Sequence, residues 1–268
     1  MNVLELDASA PPSGGRRRGP SRPERARLGL AGLAAVDAEV GSIVFNFDEQ
    51  FCRDLADRFD QAPMRSQDSG LKARYAQAIA QTRRQYDRIV AAGIRVIPWR
   101  GDGPAYAHGR ALCDDVKATA SVRLLLTESA LGQSQLPEGH PLSAPSGVSA
   151  CGVALCHNDL LRVVHDVFGH VIGATGFGPA GELVAAYRHM ALYSPAAKSV
   201  LMSEQVAQVC WFYYGPHLRN GHGDLPRRGD EGYVRPQHRP YAPQKVFAIE
   251  AEYLDRFSAM FGASSRLQ

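Results

Sequence analysis

His157-Asn-Asp-Leu-Leu-Arg-Val-Val-His-Asp-Val-Phe-Gly-His170 is the stretch on which the reading of this chain turns. It sets two imidazoles, His165 and His170, five residues apart in an apolar segment, with a carboxylate, Asp166, beside the first. Imidazole is the commonest protein ligand for iron, zinc and copper, and an apolar shell around such a pair controls solvent access and redox potential. Asn158 is a suitable N-cap for a helix bearing His165. On an unbroken α-helix five residues turn through about 500°, about 140° past one full turn. The two rings would then not share a face. They converge only where the backbone leaves ideal geometry, and Gly169 offers such a place. The pair is either two separately satisfied core histidines or two ligands of one metal that takes a third ligand from elsewhere.

Around this stretch the sequence predicts a mainly α protein with a few short strands. Residues 69 to 92 carry Leu71, Tyr75, Ile79 and Ile89 near the helical period, with Ser69 as a candidate N-cap and Gly93 as a terminating glycine. Helices are also expected over Asp48 to Phe59, Leu112 to Lys117 and Ala180 to Tyr193. Pro195 suits the start of a further helix that runs through Glu204 to about Tyr214 and stops at Gly215-Pro216. Short extended segments are expected at 41–47, 94–99 and 122–125. Residues 132–149 and 219–242, rich in Gly, Pro, Ser or Arg, read as loops, and a long loop beside a metal motif lines active sites. Pro243 to Phe261 reads as an extended start followed by a helix.

The 268 residues are 45% hydrophobic and 21% charged, values of a globular protein able to bury a substantial core. No apolar run of 18 residues appears, so no membrane span is expected. The opening Met-Asn-Val-Leu-Glu-Leu-Asp lacks a basic region followed by an apolar stretch, and a cytoplasmic protein is expected. The five cysteines are odd in number and read as reduced thiols. Net charge is +3; residues 1 to 30 hold six arginines against three acids, so the tail carries the excess and no domain-wide basic footprint for nucleic acid remains. The division predicted is an Arg/Pro/Gly-rich disordered tail, 1–28, and one metal-binding catalytic domain, 29–268.

The run Val164-His-Asp-Val-Phe-Gly-His-Val171 resembles the His-Glu-Leu-Leu-Gly-His-Val element of the tetrahydropterin-dependent aromatic amino acid hydroxylases. Val206-Ala-Gln-Val-Cys-Trp-Phe-Tyr-Tyr-Gly215 is similar to that family's helix with Tyr-Trp-Phe, and Pro243-Gln-Lys-Val-Phe-Ala-Ile-Glu-Ala-Glu-Tyr253 to its closing segment. The likeness covers roughly residues 155 to 262. It implies a single domain like the hydroxylase catalytic domain, with Fe(II) bound by His165 and His170. It also implies a tetrahydropterin cofactor, tetrahydrobiopterin among the candidates, and a monooxygenase that uses O₂ to hydroxylate a small aromatic or amino-acid-derived substrate. Asp166 takes the place of an acidic residue near the pterin, and Trp211 that of a pocket tryptophan; core packing is the other reading of Trp211.

The family's ligand glutamate lies four residues beyond the tryptophan, where this chain has Gly215. Glu204 is the first candidate to replace it, because a glutamate in an apolar helix needs a partner. Glu182 is the second, sharing a helix face with His189. Two histidines and one carboxylate leave open positions on a metal, the arrangement that suits Fe(II) and O₂. The alternatives are a zinc hydrolase with Asp166 or Glu182 as base, a dinuclear carboxylate-bridged iron site that adds His189, and a non-enzymatic metal-binding protein. Arg162 or Arg188 could grip an anionic substrate group. A small molecule and O₂ are the expected partners, without nucleic acid or membrane; the sequence does not set the oligomeric state.

Overall fold

The computed structural model describes residues 21–36, 43–131 and 139–263. It opens with helix α1 (Arg22–Val36). Residues 22–28, expected to be part of the disordered tail, are therefore helical, and residues 1–20 lie outside the described residues. The signal for this helix is a capping box: the Ser21 N–H donates to Glu24 Oε2 (2.6 Å) and the Glu24 N–H returns to Ser21 Oγ (3.4 Å). Pro23 falls in the first turn, where its missing N–H costs nothing.

Strand β1 (Ile43–Phe45) leads into α2 (Glu49–Gln61), capped by Asp48, whose Oδ1 accepts the Phe51 N–H at 2.9 Å. Helix α3 (Leu71–Ala91) ends at Gly93, which adopts φ +83° as a terminating glycine does. A parallel pair follows, β2 (Arg95–Trp99) and β3 (Ser121–Leu125), joined through α4 (Gly109–Thr119). The short α5 (Thr127–Leu131) comes next.

Of the expected loop at 132–149, residues 132–138 lie outside the described residues. The remainder is ordered: strand β4 (Pro145–Ala150) pairs antiparallel with β5 (Val153–Cys156). Cys151 and Gly152, both at positive φ, make the two-residue turn whose twist suits a hairpin.

Helix α6 (His157–Val164) is capped by Cys156 rather than Asn158. Asp159, in its first turn, accepts the Cys156 N–H with one oxygen (2.9 Å) and the Thr127 N–H and hydroxyl with the other (2.8 and 2.7 Å). Helices α7 (Pro179–Ala191), α8 (Pro195–Leu201), α9 (Gln208–Tyr214) and α10 (Ala251–Ala259) complete the helical part. Strand β6 (Phe261–Ala263) returns to pair with β1. Among the described residues no helix is long and apolar enough to cross a membrane. All five cysteines are free thiols.

Two apolar clusters form the core. One joins α2, α7, α8, α9 and α10 around Phe51, Phe59, Val206 and Phe257; the other joins α4, β2, β3 and α6 around Leu112, Val122, Val164 and Phe168. Helix α3 serves both, with Tyr75 in the first and Ile89 in the second. The histidine stretch continues from α6 between the two clusters. Each buried Leu, Val or Phe contributes roughly 1.5–3 kcal/mol to holding it there.

The C-terminal segment is fastened by a buried amine. Lys245 Nζ donates to the carbonyls of Phe59, Asp60 and Ala62 at 2.7–2.8 Å. These are carbonyls at the end of α2, where a helix leaves acceptors unsatisfied and favours a cation. Lys245→Met keeps the aliphatic stem but strips all three carbonyls of their donor. It is expected to destabilise the fold by about 2–3 kcal/mol, read from the urea midpoint.

Candidate metal centre

Residues His165–Ile172 continue α6 without a break as a π-helix. Hydrogen bonds there close i→i+5, so each turn holds more residues than an α-helical turn. Side chains five apart then fall on one face. The rings of His165 and His170 stand with centroids 4.9 Å apart and planes at 82°. The departure from ideal geometry that the spacing requires is thus spread through the segment rather than placed at Gly169.

Gly169 has a different role. A Cβ at this position would lie 2.9 Å from both the Cβ and the carbonyl oxygen of Ala185 on α7. Its absence lets α7 lie directly against the π-helix. Glu182 precedes Ala185 by three residues and therefore shares its face. Its Oε2 reaches 3.3 Å from Nε2 of His165 and 3.3 Å from Nε2 of His170. The three ligand atoms lie within 4.8 Å of one another and could hold a metal ion.

Burial alone would raise the Glu182 carboxyl, but hydrogen bonds and charge from the two histidines hold it at about 2, so it is ionised. Burial also pushes His170 down, and the bond and charge of Glu182, with Asp166, outweigh it and raise it. The donor set fits a divalent transition metal. The surrounding bonds also fix the ring of His170 for that use. Its Nδ1 lies 2.8 Å from the Thr175 hydroxyl, which donates onward to the Gly169 carbonyl at 3.4 Å. This leaves Nε2 as the nitrogen that faces Glu182, where it bonds the carboxylate as N–H and would ligate a metal on losing that proton.

Glu204, the first sequence candidate for the third ligand, is not part of this group. It sits in a second π-helical segment, Met202–Ala207, between α8 and α9. Its carboxylate has other partners: Oε1 accepts from the Tyr75 hydroxyl and lies 3.4 Å from His140 Nε2, and Oε2 accepts from Gln208 Nε2 at 3.2 Å. The residue that joins the two histidines in a group able to hold a metal is Glu182, the second candidate.

Trp211 also departs from expectation. It is buried, stacks on His217 at 3.8 Å, and donates from Nε1 to Asp60 at 2.8 Å. The cavity beside the metal ligands is lined instead by Gln208, Val209, Phe212 and Tyr213. That spacing marks one face of α9, and Trp211 lies off it. His189 is engaged otherwise: Gln205 Nε2 lies 2.8 Å from its Nδ1 and the Tyr193 hydroxyl 2.9 Å from its Nε2. Burial pushes its pKa far down. Among the described residues the group able to hold a metal is His165, His170 and Glu182, without the His189 and Glu204 that the dinuclear reading would add.

The cavity measures 570 Å³ and has His165, His170 and Glu182 in its wall. Asp166 and Arg162 line it as expected, whereas Arg188 lies against Gly173. Burial raises the Asp166 carboxyl, opposed by His170, His165 and Arg162. Tyr106, from the glycine-rich segment between β2 and α4, and Phe177 add aromatic walls that the sequence did not suggest. Phe177 meets the His170 ring edge-on at 4.9 Å.

Thr175→Val removes the hydroxyl that holds His170 in its ligating orientation. Metal affinity is expected to fall about 10–100-fold, measured by competition with a chelator, with the circular dichroism spectrum unchanged.

The chain matches no protein-family model, and comparisons with curated proteins and with solved structures gave no match.

Proposed function

We propose that this chain is a mononuclear non-haem Fe(II) monooxygenase that hydroxylates a small aromatic or amino-acid-derived substrate with O₂. The observation that carries the reading is the convergence of His165 Nε2, His170 Nε2 and Glu182 Oε2 in the wall of a 570 Å³ cavity. Two imidazoles and one carboxylate leave positions open for O₂ and suit Fe(II). The resemblance of Val164–Val171 to the hydroxylase element points to the same metal. Iron would supply the activation of O₂. One oxygen atom goes to the substrate and the other leaves as water, so two electrons must come from a reductant. A tetrahydropterin is the reductant that the resemblance names.

The chain's own residues bind, orient and shield. His165, His170 and Glu182 hold the metal. Thr175 and the Gly169 carbonyl fix the His170 ring. Phe177, Phe212 and Tyr213 give the cavity apolar faces against which an aromatic substrate packs and from which water is excluded. Asp166, in the same wall, is placed to orient a bound group or to take a proton. Its position also favours a second reading, a zinc hydrolase with Asp166 as base.

Anaerobic purification with metal analysis, followed by O₂ consumption with tetrahydrobiopterin and a panel of aromatic amino acids and amines, separates the two. Stoichiometric iron is expected, lost in His170→Ala and in Glu182→Ala, together with pterin-dependent O₂ uptake in the wild type. Zinc without O₂ uptake would sink the oxygenase in favour of the zinc reading, and full iron retention by Glu182→Ala would remove the ligand assignment.

A further inference from the structure

We propose that Glu204 is the residue that selects the substrate of this cavity, by binding a protonated amine. The inference rests on the cavity being a substrate site, as the proposed function requires, and concerns a side chain outside the metal group.

Glu204 lines the cavity, and its side chain is 2% exposed. A buried carboxylate is retained where it is paired or fully hydrogen-bonded. The contacts of Glu204 are all with neutral donors. Tyr75 offers a hydroxyl and Gln208 an amide. His140 brings no charge either: its Nδ1 accepts the Leu142 N–H at 3.1 Å, so that nitrogen is unprotonated and the one ring proton sits on Nε2, 3.4 Å from Glu204. That Nε2 is itself buried without a well-formed hydrogen bond. Among the described residues His140 is the only basic side chain within ion-pairing distance of Glu204.

An ionised carboxylate has about four acceptor sites. Two on Oε1 face Tyr75 and His140, and one on Oε2 faces Gln208. That leaves acceptor capacity on Oε2, and both Glu204 and its donor Gln208 line the cavity. The other cavity charges are matched nearby: Arg123 lies 3.3 Å from Asp115, Arg162 offsets Asp166, and Glu182 faces the metal ligands. An ammonium group supplies both a hydrogen bond for the open acceptor and the missing countercharge. Charge-assisted bonds of this kind are about twice as strong as neutral ones. The aromatic side chains Phe212 and Tyr213 in the same wall suit a ring attached to that amine.

Binding of 2-phenylethylamine, 2-phenylethanol and 3-phenylpropionate to the wild-type protein, by calorimetry, tests this without relying on turnover. The amine is expected to bind at least about 10-fold tighter than the alcohol of matching shape, a difference of about 1.4 kcal/mol. Glu204→Gln should erase that preference while keeping its iron content; Tyr75→Phe, which leaves Oε2 untouched, should keep it. Equal binding of amine and alcohol, tighter binding of 3-phenylpropionate, or an amine preference that survives in Glu204→Gln would overturn the assignment. Iron content is measured on the same samples. Amine selectivity in a protein without iron would therefore uphold Glu204 while removing the oxygenase, and iron without amine selectivity would do the reverse.

Discussion

The arrangement of this site depends on the i→i+5 backbone register that begins at His165. In an α-helix His165 and His170 would point well apart around the axis. The π-helical segment His165–Ile172 turns them onto one face, and the resulting bulge is held from both sides. Val163, Val164, Val167, Phe168 and Val171 are buried in one apolar cluster. Helix α7 closes on the opposite side through the contact of Gly169 with Ala185. Isolated π-helical turns are rare and concentrate at functional sites. Here the turn persists because packing on both faces fixes it, and its product is a pair of convergent imidazole nitrogens.

Polar groups in the interior are arranged by the same accounting. Two networks cross the space between the clusters. One runs from Gln205 through His189 and Tyr193 to Thr82, with every bond between 2.8 and 2.9 Å. It consumes both nitrogens of His189 and makes that residue structural. The other gathers Tyr75, His140 and Gln208 around Glu204. Glu204 and Gln205 both lie in the second π-helical segment, which turns adjacent side chains toward different partners. This is why a glutamate that looked suited to the metal is committed elsewhere.

Much of the fold was legible because it is written locally. Gly93 as a stop, Pro195 as a start and the β-branched run before Trp99 each act on adjacent backbone, and each appears where the sequence placed it. The helix at Arg22 was hidden by composition: arginine, proline and glycine suggested disorder, while the Ser21–Glu24 capping box was the stronger local fact. The site was legible only in part. His165 and His170 could be read as a pair, but their convergence required a π-helix, which has no sequence period of its own to detect. Trp211 was assigned by analogy of position, although 208, 209, 212 and 213 already mark the other face of its helix. Glu182 against Glu204 could not be decided from burial or spacing, because the choice depends on which helix packs on the histidines. The small pair Gly169 and Ala185 was the available signal for that packing.

The centre is assembled from two consecutive elements and the turn between them, which bears on how it keeps its shape. Its ligands come from the π-helix and from the first turns of α7. The turn tolerates no side chain at two points: a Cβ on Gly173 would meet the Gly169 carbonyl at 2.3 Å, and one on Gly181 the Gly176 carbonyl at 2.1 Å. Neither glycine needs positive φ; each is required for close approach. Pro179 then starts α7 at a fixed φ. Rigid elements and a short tight turn place ligands more accurately than long loops do. The ionised Glu182, bridging both imidazoles at 3.3 Å, supplies the last constraint. It offsets histidine charge in the metal-free protein and offers the same oxygen to a cation. A divalent ion bound there would replace protons with little movement of backbone or side chain, because folding alone already brings the three donor atoms within 4.8 Å of one another.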